Sequence, residues 1–249
     1  MSLIDSYEER VVAFIDILGF KNLVYAANNN IMYRNSIKDI IEFIYREKED
    51  NDKGILSLKE IGKEVSVFSD NIVISMNTNS EGAFFYTIMD AIHIQIELLA
   101  KGFFVRGGLT IGDIFHDGRI IFGPALIKAY ELESEKANWA RIIIDSDILE
   151  YGITKTAIKH NSINYELNFY KKVLIEDEDR VIYTNFLGLY DEFDDYTYYL
   201  EFKKNVKDKL LKDLNTNDSK IYNKVRAFIN YYNKVDATLC KQYRDPIVL

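Results

Sequence analysis

Apolar and polar positions alternate along this chain in a way that separates short strands from amphipathic helices. Residues 11–17 form a continuous apolar run that ends in Asp-Ile-Leu-Gly, the pattern of a buried central strand meeting a loop at Gly19. Asp16 then stands at the strand's C-terminal end. Within residues 31–48, Ile37, Ile40, Ile41 and Ile44 recur at helical spacing, and an Asp/Asn/Gly-rich stretch at 50–54 ends the helix. Residues 65–75 read as two β runs around Ser69-Asp70-Asn71, a hairpin with Asp70 near its tip. A second long helix is predicted over 81–100. Strand character returns over 103–111, with Gly107 and Gly108 inside it, where missing side chains imply close backbone approach.

Further on, residues 116–119 (His-Asp-Gly-Arg) predict a hairpin-type turn, and Gly123-Pro124 opens a helix running to about Lys136. Residues 141–145 predict a strand. Residues 163–176 and 180–188 predict paired strands around an acidic turn at 177–179. Residues 195–235 predict two helices, and 241–249 a tail. The order βαββαβ, followed by further strands and helices, defines an α+β protein. No repeat or Pro-rich linker divides it, since Pro124 and Pro246 are its only prolines. The expected organisation is a catalytic core over 1–190 and a helical C-terminal extension over 191–249.

Composition narrows the function. A hydrophobic content of 48% is ample for a core. A net charge of −8 disfavours direct binding of long nucleic acid, which needs clustered Lys and Arg, but is compatible with one nucleotide plus metal ions. Cys240 is the only cysteine, so an intrachain disulfide and a thiolate metal cluster are both excluded. The 18 tyrosines set against one tryptophan favour boundary positions and self-association. The N-terminus lacks the basic and apolar regions of a signal peptide, and no window of about 18 uninterrupted apolar residues occurs. The expectation is a cytoplasmic protein without membrane contact.

In a βαββαβ sheet, the end of the first strand lies beside the turn between the second and third, so Asp16 and Asp70 are expected to converge. Two carboxylates there, with no Lys or Arg adjacent in sequence, repel unless a cation neutralises them, and oxygen donors of this kind suit Mg²⁺ or Mn²⁺. Asp is also common wherever a strand gives way to a turn, so either residue alone is weak testimony.

FIDILGF at 14–20, FSDNIVIS at 68–75, RGGLTIG from 106 and GPALIKAYELE ending at 133 resemble, in that order, the catalytic core of class III nucleotide cyclases. The wording FIDILGF, FSD, RGG and AYELE most resembles the bacterial pyrimidine (uridylate or cytidylate) cyclases of Pycsar anti-phage systems. The resemblance covers roughly residues 10–145. It implies a ferredoxin-like core, a homodimer with shared active sites, and two divalent ions (Mn²⁺ or Mg²⁺) held by Asp16, Asp70 and the backbone carbonyl of Ile17. The implied substrate is a pyrimidine nucleoside triphosphate, with UTP placed ahead of CTP, and the cyclic product would act on a separate effector protein.

By the same resemblance, Ser66 falls where purine cyclases select their base, and Ile120 falls at their second base-reading position. Their ribose-orienting Asn and transition-state Arg fall on Ile127 and Glu131. Arg106 and Tyr130 are therefore the candidate catalytic groups, and Phe20, Ser66 and Lys128 the candidate nucleotide contacts. Arg106 also reads as a surface or interface arginine, Tyr130 as a packing residue, and Lys171 and Lys172 as solvated strand-edge charges. His93 reads as a core histidine, and His116 and His160 as turn residues, none with a catalytic role. A cyclase-like nucleotide-binding module without turnover, and an unrelated palm-type nucleotidyl transferase, are the rival readings.

Overall fold

The structure is a computed structural model that describes residues 6–53, 61–151 and 163–249. Its first half runs β1 (Glu8–Ile17), α1 (Phe20–Ala27), α2 (Ile31–Lys53), β2 (Lys63–Phe68), β3 (Asn71–Asn77), α3 (Ala83–Ala100) and β4 (Val105–His116). The four strands lie in the order β2-β3-β1-β4, each antiparallel to its neighbour. This is the ferredoxin-like βαββαβ arrangement expected from the sequence. Beyond it come β5 (Ile121–Phe122), α4 (Pro124–Glu131), a π-helical turn (Leu132–Lys136), β6 (Ile142–Ile144), α5 (Ser146–Tyr151), α6 (Ile163–Val173), β7 (Leu174–Glu176) and β8 (Ile182–Thr184). β6 runs parallel to β4, and β8 and β7 extend the sheet past it. The chain ends in α7 (Tyr196–Leu214) and α8 (Ser219–Asp236).

The period-two pattern of β1 fixes which residues face which layer. Val11, Ala13, Ile15 and Ile17 enter the main core with α2 and α3, while Val12 and Phe14 face the opposite side and meet Ala125 and Ala129 of α4. Asp16 shares the parity of Phe14 and so belongs to the α4 face. Helices α7 and α8 enter the main core too, where Phe228 stacks against Phe104 and Trp139. Among the described residues, α3 is long and apolar enough to cross a membrane, but it is the central core helix, packed by Ile88, Ile92 and Leu99.

Three local expectations are corrected. Residues 163–173 are helical, because Phe169, Tyr170 and Val173 recur at helical spacing and put one face against the core. Lys171 and Lys172 therefore sit in the last turn of α6, not on a strand edge. The strand expected over 180–188 is confined to Ile182–Thr184 and gives way to a 3₁₀ turn at Phe186–Gly188. His116 is the last residue of β4 and is buried, while His93 is exposed on α3 beside Glu192. His160 lies outside the described residues.

Candidate functional site

The register of β1 builds the site. Asp16 is the direct cross-strand partner of Asn71 on β3 and of Arg106 on β4. Asp70 immediately precedes Asn71 in the two-residue turn that joins β2 to β3, where Ser69 takes a left-handed φ of 58°. This is a sparsely populated conformation for a residue with a side chain, and such strain concentrates at functional turns. The turn that carries Asp70 thus adjoins the end of β1 that carries Asp16. Burial pushes the Asp16 carboxyl above its ordinary range, the Arg106 guanidinium pulls it back in part, and the neighbouring Asp70 charge adds to the rise.

Arg106 is placed by a close packing that its two following glycines permit. A Cβ on Gly107 would lie 2.6 Å from the Phe14 carbonyl oxygen, and one on Gly108 would lie 2.3 Å from that of Ala129. The C-terminal end of α4 and its π turn therefore rest on bare strand backbone. That contact delivers Glu133, only 2% exposed, to Arg106. Arg106 Nε donates a hydrogen bond to Asp16 Oδ2 at 3.3 Å and also forms an ion pair with Glu133 Oε1, which accepts no hydrogen bond of good geometry. Burial raises the Glu133 carboxyl to about 7; Arg106 opposes the rise, Asp16 adds to it, and Lys224 of α8 opposes it from further off. The sequence pattern alone assigns Glu133 no part. The signal was the Gly-Gly pair, which needs something to approach it.

The other predicted residues divide into two groups. Phe20, buried at the start of α1, lines a hollow of about 270 Å³ with Lys21, Val24, Tyr25, Ser69 and Asp70, and so stands beside one of the two metal candidates. Ile17 ends β1 opposite Val105 with its side chain buried. Tyr130 is exposed on α4, and its ring meets Phe14 edge-on at 5.6 Å. Lys128 pairs with Asp145 and with Asp147 at 2.8 Å. Burial lowers its pKa, but those two carboxylates outweigh it and leave the pKa raised.

Ser66 is buried, and its hydroxyl lies 2.8 Å from His116 Nε2. The other ring nitrogen, Nδ1, lies 2.8 Å from Ser75 Oγ, which also accepts from Arg10 Nε. Ser66 therefore belongs to a buried polar relay across β2, β3 and β4. A cleft of about 1060 Å³ is lined by Glu8, Arg10, Phe85, Tyr86 and His116 among others. It opens at the start of β1, the end opposite Asp16.

Among the described residues, no three His, Cys, Asp or Glu side chains form a metal cage. Asp16, partly buried at the end of β1, and Asp70, in the adjoining turn, instead offer hard oxygen donors. That set fits Mg²⁺ or Mn²⁺, ions that commonly complete their shell with water and substrate phosphate oxygens.

The sequence matches no protein-family profile and no curated protein. Among solved structures, the chain is similar to two described as bacterial light-regulated adenylyl cyclases, each at 13% identity. The first gives a TM-score of 0.46 over 82% of this chain, the second 0.42 over 84%, and the chain spans 59% of the length of each. Adenylyl cyclase is what those proteins are called, and at this likeness nothing about the substrate of this chain follows from it.

Proposed function

We propose that this chain is a nucleotide cyclase that converts UTP to 3′,5′-cyclic UMP and pyrophosphate, with CTP to cyclic CMP as the alternative. The observation that supports this reading is the meeting of Asp16 and Asp70 at adjacent strand ends, with Arg106 as the neighbouring cation. The ribose 3′-oxygen attacks the α-phosphorus, the bond to the pyrophosphate oxygen breaks, and the hydroxyl proton departs to solvent. Two divalent ions, when bound, supply the lowered 3′-hydroxyl pKa and the neutralisation of phosphate charge. The chain contributes the carboxylates of Asp16 and Asp70 as their holders and, as a further donor by resemblance, the Ile17 carbonyl. Arg106 stands next to Asp16, where a guanidinium hydrogen-bonds phosphate oxygens in pairs. Phe20 provides an apolar wall beside Asp70.

The pyrimidine preference and a part in anti-phage defence, through a separate effector, rest on the resemblance of FIDILGF, FSD, RGG and AYELE. Exposed Ile120, Phe122, Ile127 and Tyr130, on and beside β5 and α4, offer apolar surface for the second subunit of a homodimer. Tyr130 and Lys128 reach a nucleotide in this reading only from that surface of α4.

One observation favours a cyclase-like binding module without turnover. Ile127 and Glu131 are exposed on α4 and supply neither the amide nor the guanidinium that purine cyclases use there. Incubation of the purified protein with Mn²⁺ and each of ATP, GTP, CTP and UTP, with products identified by mass spectrometry, separates the readings. A cyclic pyrimidine monophosphate supports the cyclase, and nucleotide binding without product supports the module.

A further inference from the structure

We infer that Glu133 is a positioning residue which, by holding Arg106, sets how tightly Asp16 takes a divalent cation. The inference rests on the metal reading of Asp16 given above. Arg106 Nε lies between two carboxylates, 3.3 Å from Asp16 Oδ2 and in closer contact with Glu133 Oε1. A guanidinium leaning on Asp16 and a divalent ion bound to Asp16 compete for the same negative charge, because each stabilises the carboxylate that the other needs. Whatever holds Arg106 away from Asp16 therefore favours the ion.

Glu133 is built for that task. Its side chain is 2% exposed, so solvent cannot substitute for Arg106 as its partner. Gly108 admits the end of α4 and the π turn onto β4, and this alone carries Glu133 to the strand. The remaining charges that act on Glu133 are Asp16 from β1, which repels it, and Lys224 from α8, which attracts it. With the Glu133 charge removed, Arg106 is left with Asp16 as its carboxylate partner and screens it from an incoming cation.

Mn²⁺ binding to the full chain, followed by titration calorimetry and by the electron paramagnetic resonance signal of free Mn²⁺, tests this without reference to turnover. The expected result is that Glu133→Gln weakens Mn²⁺ binding by about tenfold, that Arg106→Gln strengthens it, and that Glu133→Gln has no further effect in the Arg106→Gln background. Glu133→Asp keeps the charge but withdraws the carboxylate by one methylene, and is expected to weaken binding as well. This second variant decides the matter if Arg106→Gln does not fold. Equal weakening by Glu133→Gln in both backgrounds, or wild-type affinity in Glu133→Asp, would mean a plain charge effect and overturn the positioning role alone. Absence of Mn²⁺ binding by the wild type, or unchanged binding in Asp16→Asn, would overturn the metal reading itself and the inference with it.

Discussion

A Cβ on Gly108 would lie 2.3 Å from the carbonyl oxygen of Ala129 and 2.6 Å from Leu132 Cβ, closer than real atoms approach. Gly108→Ala must therefore lift the end of α4 and its π turn off β4, and both obstructing groups belong to backbone or to a short stem that cannot rotate away. Overpacking of this kind costs about 1–3 kcal/mol. The same displacement draws Glu133 away from Arg106. The expected outcome is a lowered thermal midpoint together with an activity loss larger than the unfolded fraction explains, read by calorimetry and by product formation on the same samples.

Burial raises the Asp16 carboxyl, and the like charge of Asp70 adds to the rise. Asp16→Asn and Asp70→Asn remove one charge each while preserving shape. Product formation is expected to fall by about 10²–10³-fold in each, the scale of losing a preorganised charge partner. The thermal midpoint should stay level or rise, because functional like-charge clusters are kept at the expense of stability. A large drop in the midpoint of either variant would make the carboxylates structural turn-formers.

Glu133 carries a pH signature of its own. Burial raises its carboxyl from 4.5 to about 7, so between those values the folded chain keeps a proton that the unfolded chain releases. Its contribution to stability is fully present below about pH 4.5 and is lost as pH rises through about 7, a change of at most about 3 kcal/mol. Glu133→Gln cannot titrate. Midpoints of the two proteins should therefore diverge between pH 5 and pH 8, with the wild type losing ground to the variant as pH rises. Parallel curves would show that the Glu133 carboxyl has an ordinary pKa.

Much of this was legible in the chain because local pattern and tertiary fate agree. β1 is a continuous apolar run, the β2–β3 hairpin brackets a polar turn and α2 carries a helical period, and the order of these elements puts the Asp70 turn beside the end of β1. Tyr, Phe and Val give residues 163–176 strand propensity, yet the spacing within 163–173 faces one side of a helix, and burial of Tyr170 and Val173 overrides propensity. α1 gives no sequence signal, since eight residues after Gly19 make too few turns to display a period. Glu133 carries no local signal, because its partner Arg106 is distant in sequence and the contact depends on the Gly108 approach, which no periodicity reports. The Ser66–His116 contact is hidden for a similar reason, His116 arriving from the far end of β4.

That last pairing yields a prediction about base selection. The Ser66 hydroxyl is buried against His116, which in turn meets Ser75, and Ser75 accepts from Arg10. A group committed to such a relay changes stability when it is deleted, because its buried partner loses a hydrogen bond worth about 1–3 kcal/mol. Ser66→Ala is thus expected to lower stability by that order and to leave the ratio of rates on UTP and CTP unchanged. His116→Phe, which fills the space but removes both ring nitrogens, should be costlier, since Ser66 and Ser75 both lose a partner. The check is a denaturation curve for each variant beside its rates on both triphosphates. A shift in the UTP to CTP ratio in Ser66→Ala without loss of stability would return Ser66 to the nucleotide and make the relay incidental.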